Sequence, residues 1–505
     1  MRTPLFGFRD DAAIVFRDLG RVIPVVGWMA VASLVVALVF GESYTVLPLS
    51  ITAAASFFLG ALFYLPFRRS GEARLRHAML TAALAWLIVP LVGALPFILV
   101  ASASAFPARL AAGLAPFRNP ASAFFEAVSG FTGTGLSMAT RPDLLPHALQ
   151  WWRSFSEWVG GMGVIVVVLT ILAGPKPGLA MYSLYYAEAR TEKIHPSVKS
   201  TVFSMWWIFV LYTGASAVAL WAFGMPVWHA INQAMVGVAT GGFSLTPNGT
   251  AAYRSVGIEL VLMASMLVGA ISFSMHYEML RGEGRKFWRD YQTRALFAFV
   301  ALGIVALTLE NLGTIGGLNA LRLSAFHFVS AATTTGFQGT DFGSWSEAAK
   351  LILALGMFIG GAAGSTAGGI KLIRLLTLVK GIRWRFRQIV SPRGAIVPLR
   401  IGTTPVREGE VGQRLEDAAM VTLLWLVFLA VGVVALLHTV PSRFSLADVI
   451  LEVTSAQGNA GLSTGITSPT MTLAGKLSLC FNMWVGRLEI IPALMLLRTI
   501  FRFGG

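Results

Sequence analysis

Long apolar stretches alternate along the chain with shorter apolar segments and glycine-rich loops. The pattern occurs four times, and each time it reads as a long span, a segment of ten to fourteen mostly apolar residues, a loop and a second long span. A transmembrane helix needs about 20 apolar residues, so the shorter segments predict re-entrant half-helices rather than crossings. The pattern therefore predicts an all-α polytopic membrane protein with four similar repeats.

The predicted repeats follow an N-terminal extension of two spans. The units are the extension 1–76, repeat 1 at 77–174, repeat 2 at 175–294, repeat 3 at 295–418 and repeat 4 at 419–505. Long spans are predicted near 22–40, 45–66, 77–101, 153–174, 201–223, 255–280, 295–311, 348–376, 419–438 and 472–497. Short segments are predicted near 120–131, 227–238, 321–332 and 446–457. The expected topology has ten transmembrane helices, with both termini in the cytosol.

Four loops, one in each repeat, resemble one another and carry no charged side chain. They comprise residues 132–137, 239–244, 333–338 and 458–463, which we call glycine loops 1 to 4. We align them on Gly135, Gly242, Gly336 and Gly461, each of which is followed by Leu or Phe. Non-helical backbone at membrane depth is tolerated only where protein buries it or where it lines an aqueous cavity. We therefore expect the four loops to surround one axis.

Backbone carbonyls and threonine hydroxyls are the groups that these loops offer to an ion. Rings of carbonyls replace the hydration shell of the ion in potassium-type filters. Glycine adopts the backbone conformations that turn successive carbonyls to one side. The residues predicted to form the ion-binding filter are Thr132, Gly133, Thr134, Gly135, Ala239, Thr240, Gly241, Gly242, Thr333, Thr334, Thr335, Gly336, Gly458, Asn459, Ala460 and Gly461.

A polar side chain precedes each aligned glycine by nine residues. These side chains are Glu126, Gln233, His327 and Glu452. They either bond to the loop backbone behind the filter or face an aqueous vestibule. We favour the first role, and we expect none of them to contact the ion.

Composition and charge agree with a membrane protein. Of the 505 residues, 55% are hydrophobic and only 12% are charged, whereas soluble domains carry roughly twice that charged fraction. The net charge of +15 does not indicate a nucleic-acid partner, because Lys and Arg concentrate in the predicted cytosolic loops near 67–76, 175–200, 281–294 and 377–418. The single Cys480 excludes an internal disulfide and a cysteine-based metal cluster. We expect no removable signal peptide.

Two further stretches, together with glycine loops 2 and 3, carry a family resemblance. Residues 360–371 read GGAAGSTAGGIK, and residues 486–489 read GRLE. With them the chain resembles, over essentially its whole length, the Trk/Ktr/HKT superfamily of potassium transporters. It is most similar to the TrkH-type membrane subunit, which has two extra leading spans, as this chain does.

The resemblance implies potassium uptake across the plasma membrane of a bacterium or archaeon, through four units around a pseudo-fourfold axis. It implies a homodimer that binds a cytosolic ring of TrkA-like, RCK-type nucleotide-binding subunits. K⁺ is then the transported ion, no cofactor is covalently bound, and nucleotide is expected only on the regulatory partner. It also implies an intramembrane gate loop at 360–370. The implied gate residues are Gly360, Gly361, Gly364, Ser365, Thr366, Gly368, Gly369, Lys371 and Arg487.

The residues themselves leave alternatives open for the gate. A run so rich in glycine does not continue a stable helix, which is consistent either with a moving element or with a simple kink. Arg487 lies within a predicted apolar span, where a charge costs at least about 2.5 kcal/mol. It is expected to face the pore as a barrier to cations, or to pair with Glu489 or another helix. Lys371 either holds the loop or extends to the cytosolic interface.

Other functions are weighed against potassium uptake. A sodium-coupled or sodium-permeable Ktr-like transporter is the main alternative. An enzyme is disfavoured, because the seven histidines show no metalloprotease spacing. A carrier for organic solutes is expected to show inverted repeats, whereas these repeats share one orientation. The basic stretch 380–414 is a candidate docking surface, although the positive-inside pattern explains most of its charge.

Overall fold

The computed structural model describes residues 8–103, 106–163, 198–392, 397–401, 404–405 and 408–501. Residues 164–174 of one predicted span, and 175–197 of the loop after it, lie outside the described residues. The helices are α1 (Phe8–Val22), α2 (Pro24–Val39), α3 (Ser43–Tyr64), α4 (Leu75–Gly93), α5 (Leu95–Ser102), α6 (Ala111–Leu114), α7 (Pro120–Thr132), α8 (His147–Met162), α9 (Val198–Ala222), α10 (Val227–Ala239), α11 (Val256–Ala270), α12 (Phe273–Leu280), α13 (Gly284–Arg289), α14 (Tyr291–Ile315), α15 (Gly317–Ala332), α16 (Glu347–Phe358), α17 (Leu372–Val390), α18 (Glu408–Leu437), α19 (Leu446–Gly458), α20 (Leu473–Arg487) and α21 (Ile491–Phe501).

Other regular structure is short. Turns of 3-10 helix lie at Ala108–Leu110, Ala115–Arg118, Pro142–Leu144, Gly249–Tyr253 and Phe342–Ser344. The strands β1 (Arg400–Ile401) and β2 (Thr404–Pro405) form an antiparallel pair in which Arg400 is opposite Pro405. The all-α prediction is therefore confirmed for the described residues, apart from this small hairpin.

Six helical stretches are long and apolar enough to cross a membrane, so the chain is a multi-pass membrane protein. They are Asp11–Val39, Ser43–Tyr64, Leu75–Ser102, Ser200–Ala222, Tyr291–Ile315 and Glu410–Leu437. Two bent pairs, α11 with α12 and α20 with α21, raise the number to eight if each pair is one span. The four predicted short segments are the helices α7, α10, α15 and α19, of 13 to 16 residues.

Two predicted spans are bent, and a third is interrupted by a loop. The span at 255–280 bends by 107° between α11 and α12, and the span at 472–497 bends by 119° between α20 and α21. At the second bend Glu489 and Ile490 have left-handed φ values of 51° and 73°, which a right-handed helix does not contain. Arg487 consequently lies at a helix end instead of inside a helix. The span at 348–376 is interrupted by the 360–370 loop, as predicted.

The short helices pack in cyclic order. Each contacts the helix that follows it in its own repeat (α8, α11, α16 or α20), and we call these four the second helices. Each also contacts the second helix of the preceding repeat: α20 packs on α7, α8 on α10, α11 on α15 and α16 on α19. The last repeat thus closes onto the first, while α1 and α3 pack against α4, and α2 against α8, outside this circle.

Candidate functional site

The four short helices end with the same backbone geometry. Two residues before each aligned glycine, the chain adopts a left-handed conformation. These residues are Gly133, Thr240, Thr334 and Asn459, with φ of 66°, 52°, 52° and 52°. The next amide then donates to the carbonyl five residues earlier at 2.8 to 2.9 Å, for example from Thr134 to Ser129. This closure is a common helix C-terminal motif, and here it starts each glycine loop in the same direction.

The aligned glycines form a closed circle. Gly135, Gly242, Gly336 and Gly461 all have positive φ, between 84° and 104°. A Cβ atom built on any of them would lie closer than 3.0 Å to the carbonyl oxygen of the next loop. The carbonyls belong, in the same order, to Gly241, Thr335, Ala460 and Thr134. Glycine is therefore required twice, by the backbone conformation and by the close approach of the neighbouring loop.

The polar side chains before the loops bond to backbone in or shortly after the glycine loops. Glu126 Oε2 accepts from the Met138 amide at 2.6 Å. Glu452 accepts from the Thr464 and Thr467 amides at 3.0 and 2.9 Å.

His327 and Gln233 complete this set. His327 Nε2 lies 3.0 Å from the Gly339 amide nitrogen, which donates to it. Gln233 differs, because its Nε2 donates to the Phe243 carbonyl at 3.4 Å. All four side chains therefore bond to backbone in or shortly after a glycine loop, whereas their supporting role behind an ion filter stays a prediction.

Cavities lie on both sides of the circle. A cavity of about 920 Å³ is lined by the four aligned glycines and by polar groups that include Arg153 and Gln338. A much smaller one, of about 40 Å³, is lined by residues 364–369, Lys371, Asn459 and Arg487, with Gly486 and Glu489.

The 360–370 loop bonds directly to three glycine loops. The Gly368 amide donates to Thr334 Oγ1 at 2.7 Å, and the Gly369 amide donates to the Gly458 carbonyl at 2.9 Å. Thr240 Oγ1 and Thr366 Oγ1 are 3.1 Å apart. A β-branched residue in the left-handed region is strained by about 1–3 kcal/mol. The two strained threonines of the circle are those that contact this loop.

The other edge of the 360–370 loop is bonded to the end of α11. The Ala362 amide donates to the Ala270 carbonyl at 2.9 Å, and the Thr366 amide donates to the Gly269 carbonyl at 3.0 Å. These bonds satisfy carbonyls that a continuous helix would have used, which explains the bend between α11 and α12. Lys371 Nζ donates to the Ala367 carbonyl within the loop, and its role in holding the loop stays a prediction.

Arg487 reaches across to the first repeat from the end of α20. Its Nη2 donates to the carbonyls of Gly160 and Gly161, near the end of α8. Its guanidinium lies 4.9 Å from the ring centroid of Trp86, in cation–π geometry. The Glu489 carboxylate pairs with Arg374 of α17. Arg487 therefore sits beside the small cavity, held by carbonyls and an aromatic face.

Sequence reasoning missed two charged residues of α8. The Arg153 guanidinium pairs with Glu126 at 2.7 Å, with both side chains at most 1% exposed, and donates to the Ser244 carbonyl at 2.8 Å. It also donates to Ser137 Oγ at 3.0 Å and thus joins glycine loops 1 and 2. Glu157 accepts from the Phe243 amide. Ionisable side chains in a predicted apolar span are the signal that would have identified both.

A second ring of side-chain contacts joins the repeats away from the glycine loops. In every case the contact is made by the fourth residue of a second helix. The four pairs are Gln150 with Trp228 at 2.7 Å, Glu259 with Arg322 at 2.7 Å, Lys350 with Asp448 at 2.8 Å and Lys476 with Ser122 at 2.9 Å. Each pair links one repeat to the short helix of the next. The cyclic order is therefore the same here as at the glycines.

A helical membrane protein with a closed circle of uncharged glycine loops, and cavities on both sides, has the construction of a cation transporter. The sequence profile of the TrkH family, described as cation transport protein, matches residues 49–501. The chain belongs to the TrkH family.

Similar proteins cover nearly the whole chain. It is 29% identical to an uncharacterized cation transporter of Methanocaldococcus jannaschii, over 98% of this chain and 97% of that protein. The Trk system potassium uptake protein TrkH of Halomonas elongata is 31% identical, over 97% and 98%. Escherichia coli TrkH is 31% identical, over 88% and 89%. The crystal structure of the potassium transporter TrkH from Vibrio parahaemolyticus matches with a TM-score of 0.80 and 27% identity, over 96% and 98%.

Proposed function

We propose that this chain is the membrane subunit of a potassium uptake system, and that K⁺ passes through the circle of glycine loops. The closed circle of Gly135, Gly242, Gly336 and Gly461 carries the proposal, since carbonyls from four directions replace water around a dehydrated cation. Relatives of 31% identity are named Trk system potassium uptake proteins. The chain is accordingly a plasma-membrane transporter and not an enzyme.

The proposed filter residues are those predicted from the sequence, from Thr132–Gly135 to Gly458–Gly461. They belong to four units around a pseudo-fourfold axis, repeats 77–174, 175–294, 295–418 and 419–505, after the extension 1–76. Ten crossings result if four further spans are added to the six continuous helical stretches. These are the two bent pairs, the interrupted span of α16 and α17, and the predicted span at 153–174, of which α8 is the described part.

The 360–370 loop is proposed as the gate. Its bonds to Thr334, Gly458 and Thr240 support this role, because each of them joins it to one of the glycine loops. Arg487 adds an electrostatic barrier beside it. A K⁺ ion about 5 Å from the guanidinium would be repelled by roughly 3 kcal/mol at an effective dielectric constant of about 20. The gate opens when the loop moves away and the guanidinium turns aside.

A cytosolic partner is proposed to control this gate. The Trk names of the relatives support cooperation with other Trk components, and we propose a TrkA-like ring of nucleotide-binding subunits and a homodimer of this chain. K⁺ is the transported ion, and nucleotide binds only the partner. The termini and the basic stretch 380–414 are placed in the cytosol, the latter as a docking surface. Arg393 and Arg407 of that stretch lie outside the described residues.

Complementation tests the proposed function. The chain and its regulator are expressed in a bacterial strain that lacks potassium uptake, and growth is measured at low external K⁺ with and without Na⁺. Growth rescue that does not depend on Na⁺ is expected. Rescue only with Na⁺ would establish the sodium-coupled alternative. Failure with well-inserted chain and regulator present would overturn the assignment.

A further inference from the structure

Glu157 of α8 lies directly behind glycine loop 2. Its side chain is fully buried, and both carboxyl oxygens lie 3.2 Å from the Phe243 amide nitrogen, which donates to them. A Cβ atom built on Gly241 would lie only 2.6 Å from the carboxyl carbon of Glu157. The carboxyl group therefore touches the loop on both sides of Gly242 and leaves no space for a side chain at position 241.

No other repeat has an acidic group at the matched position. The four second helices are aligned on a glycine, which is the fourteenth residue when counting from the first residue of each helix. These are Gly160, Gly269, Gly360 and Gly486. Three residues before them stand Glu157, Met266, Met357 and Met483. All three methionines are fully buried, so the equivalent place beside the other loops is filled by an apolar side chain that offers no strong acceptor.

The alignment of these helices also has structural support. Cβ atoms built on Gly160, Gly269 and Gly486 would collide with the carbonyls of Phe131, Val238 and Gln457. Each of these carbonyls stands four residues before the aligned glycine of the same repeat. The second helices of repeats 1, 2 and 4 thus approach their own loops in the same way. Position 157 consequently has a defined counterpart in each repeat.

Glycine loop 2 differs from the other three loops in how the polar side chain nine residues before its aligned glycine bonds to the backbone. In loops 1, 3 and 4 the polar side chain nine residues before the glycine accepts from the amide three residues after it, which belongs to Met138, Gly339 or Thr464. In loop 2, Gln233 instead donates to the Phe243 carbonyl, at the longer distance of 3.4 Å. The Phe243 amide is then held by Glu157, from the neighbouring repeat.

We propose that Glu157 is a positioning residue that determines ion specificity, by acting as the acceptor that fixes Gly241 and Gly242 in the circle. The inference rests on the proposed potassium-uptake function. The Gly241 carbonyl lies against Gly135, and Gly242 lies against the Thr335 carbonyl. A shift of loop 2 therefore changes its spacing to both neighbouring loops. Loss of the Glu157 acceptor widens one side of the circle and admits Na⁺ more readily.

Two substitutions at position 157 distinguish the effect of the hydrogen bond from the effect of side-chain volume. Glu157→Gln keeps the shape and an acceptor oxygen, whereas Glu157→Met introduces the residue found at the three matched positions. Initial K⁺ and Na⁺ fluxes are measured with the full-length purified chain in liposomes. We expect E157Q to retain the wild-type K⁺/Na⁺ flux ratio within about twofold, and E157M to lower it about tenfold, a change of about 1.4 kcal/mol. Met483→Leu is the matched control and is expected to leave the ratio unchanged.

The outcomes distinguish a failure of this inference from a failure of the proposed potassium-uptake function. An unchanged ratio in E157M overturns the inference, and so does a loss in E157Q as large as that in E157M. If E157M does not insert, E157D takes its place, because the shorter side chain withdraws the acceptor; an unchanged ratio in E157D overturns the inference equally. Absence of K⁺ flux in the wild-type chain, with correct insertion and with the regulator present, contradicts the proposed function instead.

Discussion

Substitution of Gly336 by Ser tests the proposed filter most directly. Gly336 has φ of 84°, and a Cβ atom built there would lie 2.7 Å from Gly461 Cα and 2.8 Å from the Ala460 carbonyl carbon, besides its collision with the Ala460 oxygen. Ordinary contact at this atom begins at 3.4 Å. Loops 3 and 4 must therefore separate by at least about 0.7 Å, and by more at the Ala460 oxygen, in addition to the cost of a strained φ, about 1–3 kcal/mol.

The displacement predicts a loss of ion discrimination. Carbonyls compensate for lost hydration only if their spacing suits the ion, and in finely positioned sites a displacement of about 1 Å costs on the order of 100-fold. We expect Gly336→Ser to lower the K⁺/Na⁺ flux ratio at least about tenfold, measured in liposomes or as Na⁺ inhibition of K⁺-dependent growth.

Gly316→Ser provides the matched control for Gly336→Ser. Gly316 has nearly the same φ, 82°, but a Cβ atom there meets nothing within 4 Å. It shares the backbone strain without the collision, so its flux ratio should equal that of the wild type. A wild-type ratio in well-inserted G336S protein would refute the assignment of the glycine circle as the filter.

Three other substitutions test the gate and the supports. Arg487→Ala removes the charge beside the small cavity and should raise K⁺ flux without the regulator several-fold in liposomes; lower flux at normal expression would contradict the barrier role. Thr366→Val loses the bonds of its hydroxyl to the Gly269 carbonyl and Thr240 and should also raise unregulated flux, whereas T366S should not; equal flux in both variants would argue against the gate. Arg153→Met leaves the Glu126 carboxylate buried without its partner and should cost about 3–5 kcal/mol, read as a lower Tm in detergent; a change below about 1 kcal/mol would contradict this.

The repeated architecture was predictable because it depends on local signals. The length of an apolar segment decides whether it spans a membrane, and glycine marks the positive φ inside the loop that follows each short helix. The alignment on Gly135, Gly242, Gly336 and Gly461 therefore identified four positions with the same backbone conformation. Interruption of the span at 348–376 was predictable for the same reason, since the glycine-rich run is local in sequence.

Features that depend on distant partners were not predictable. The acceptor of the Phe243 amide is 86 residues away, and the carbonyl that accepts from Arg487 is 327 residues away. The bend after α11 needs the 360–370 loop to satisfy the carbonyls of Gly269 and Ala270. Hydropathy alone predicted one continuous span at 255–280, because the composition of this region is mostly apolar.

The side of the circle that contacts the 360–370 loop is covered unequally, and this bears on how the proposed gate opens. The 360–370 loop bonds to glycine loops 2, 3 and 4 through Thr240, Thr334 and Gly458. Arg487 occupies the remaining side, where it bonds to the Gly160 carbonyl beside the end of α7.

The number of hydrogen bonds that hold the loop indicates how much free energy a regulator must supply to open the proposed gate. Three hydrogen bonds of about 1 kcal/mol each hold the loop to the circle, so without a regulator its open form would be populated at roughly 1%. A partner that raises this to about 99% must favour the open form by about 5.5 kcal/mol. Removing one of the three bonds, as in T366V, supplies less than a third of that free energy. The variant should therefore leak K⁺ while still responding to the regulator, and a fully open, unregulated transporter would show that the Thr366 hydroxyl stabilises the closed form by far more than one ordinary hydrogen bond.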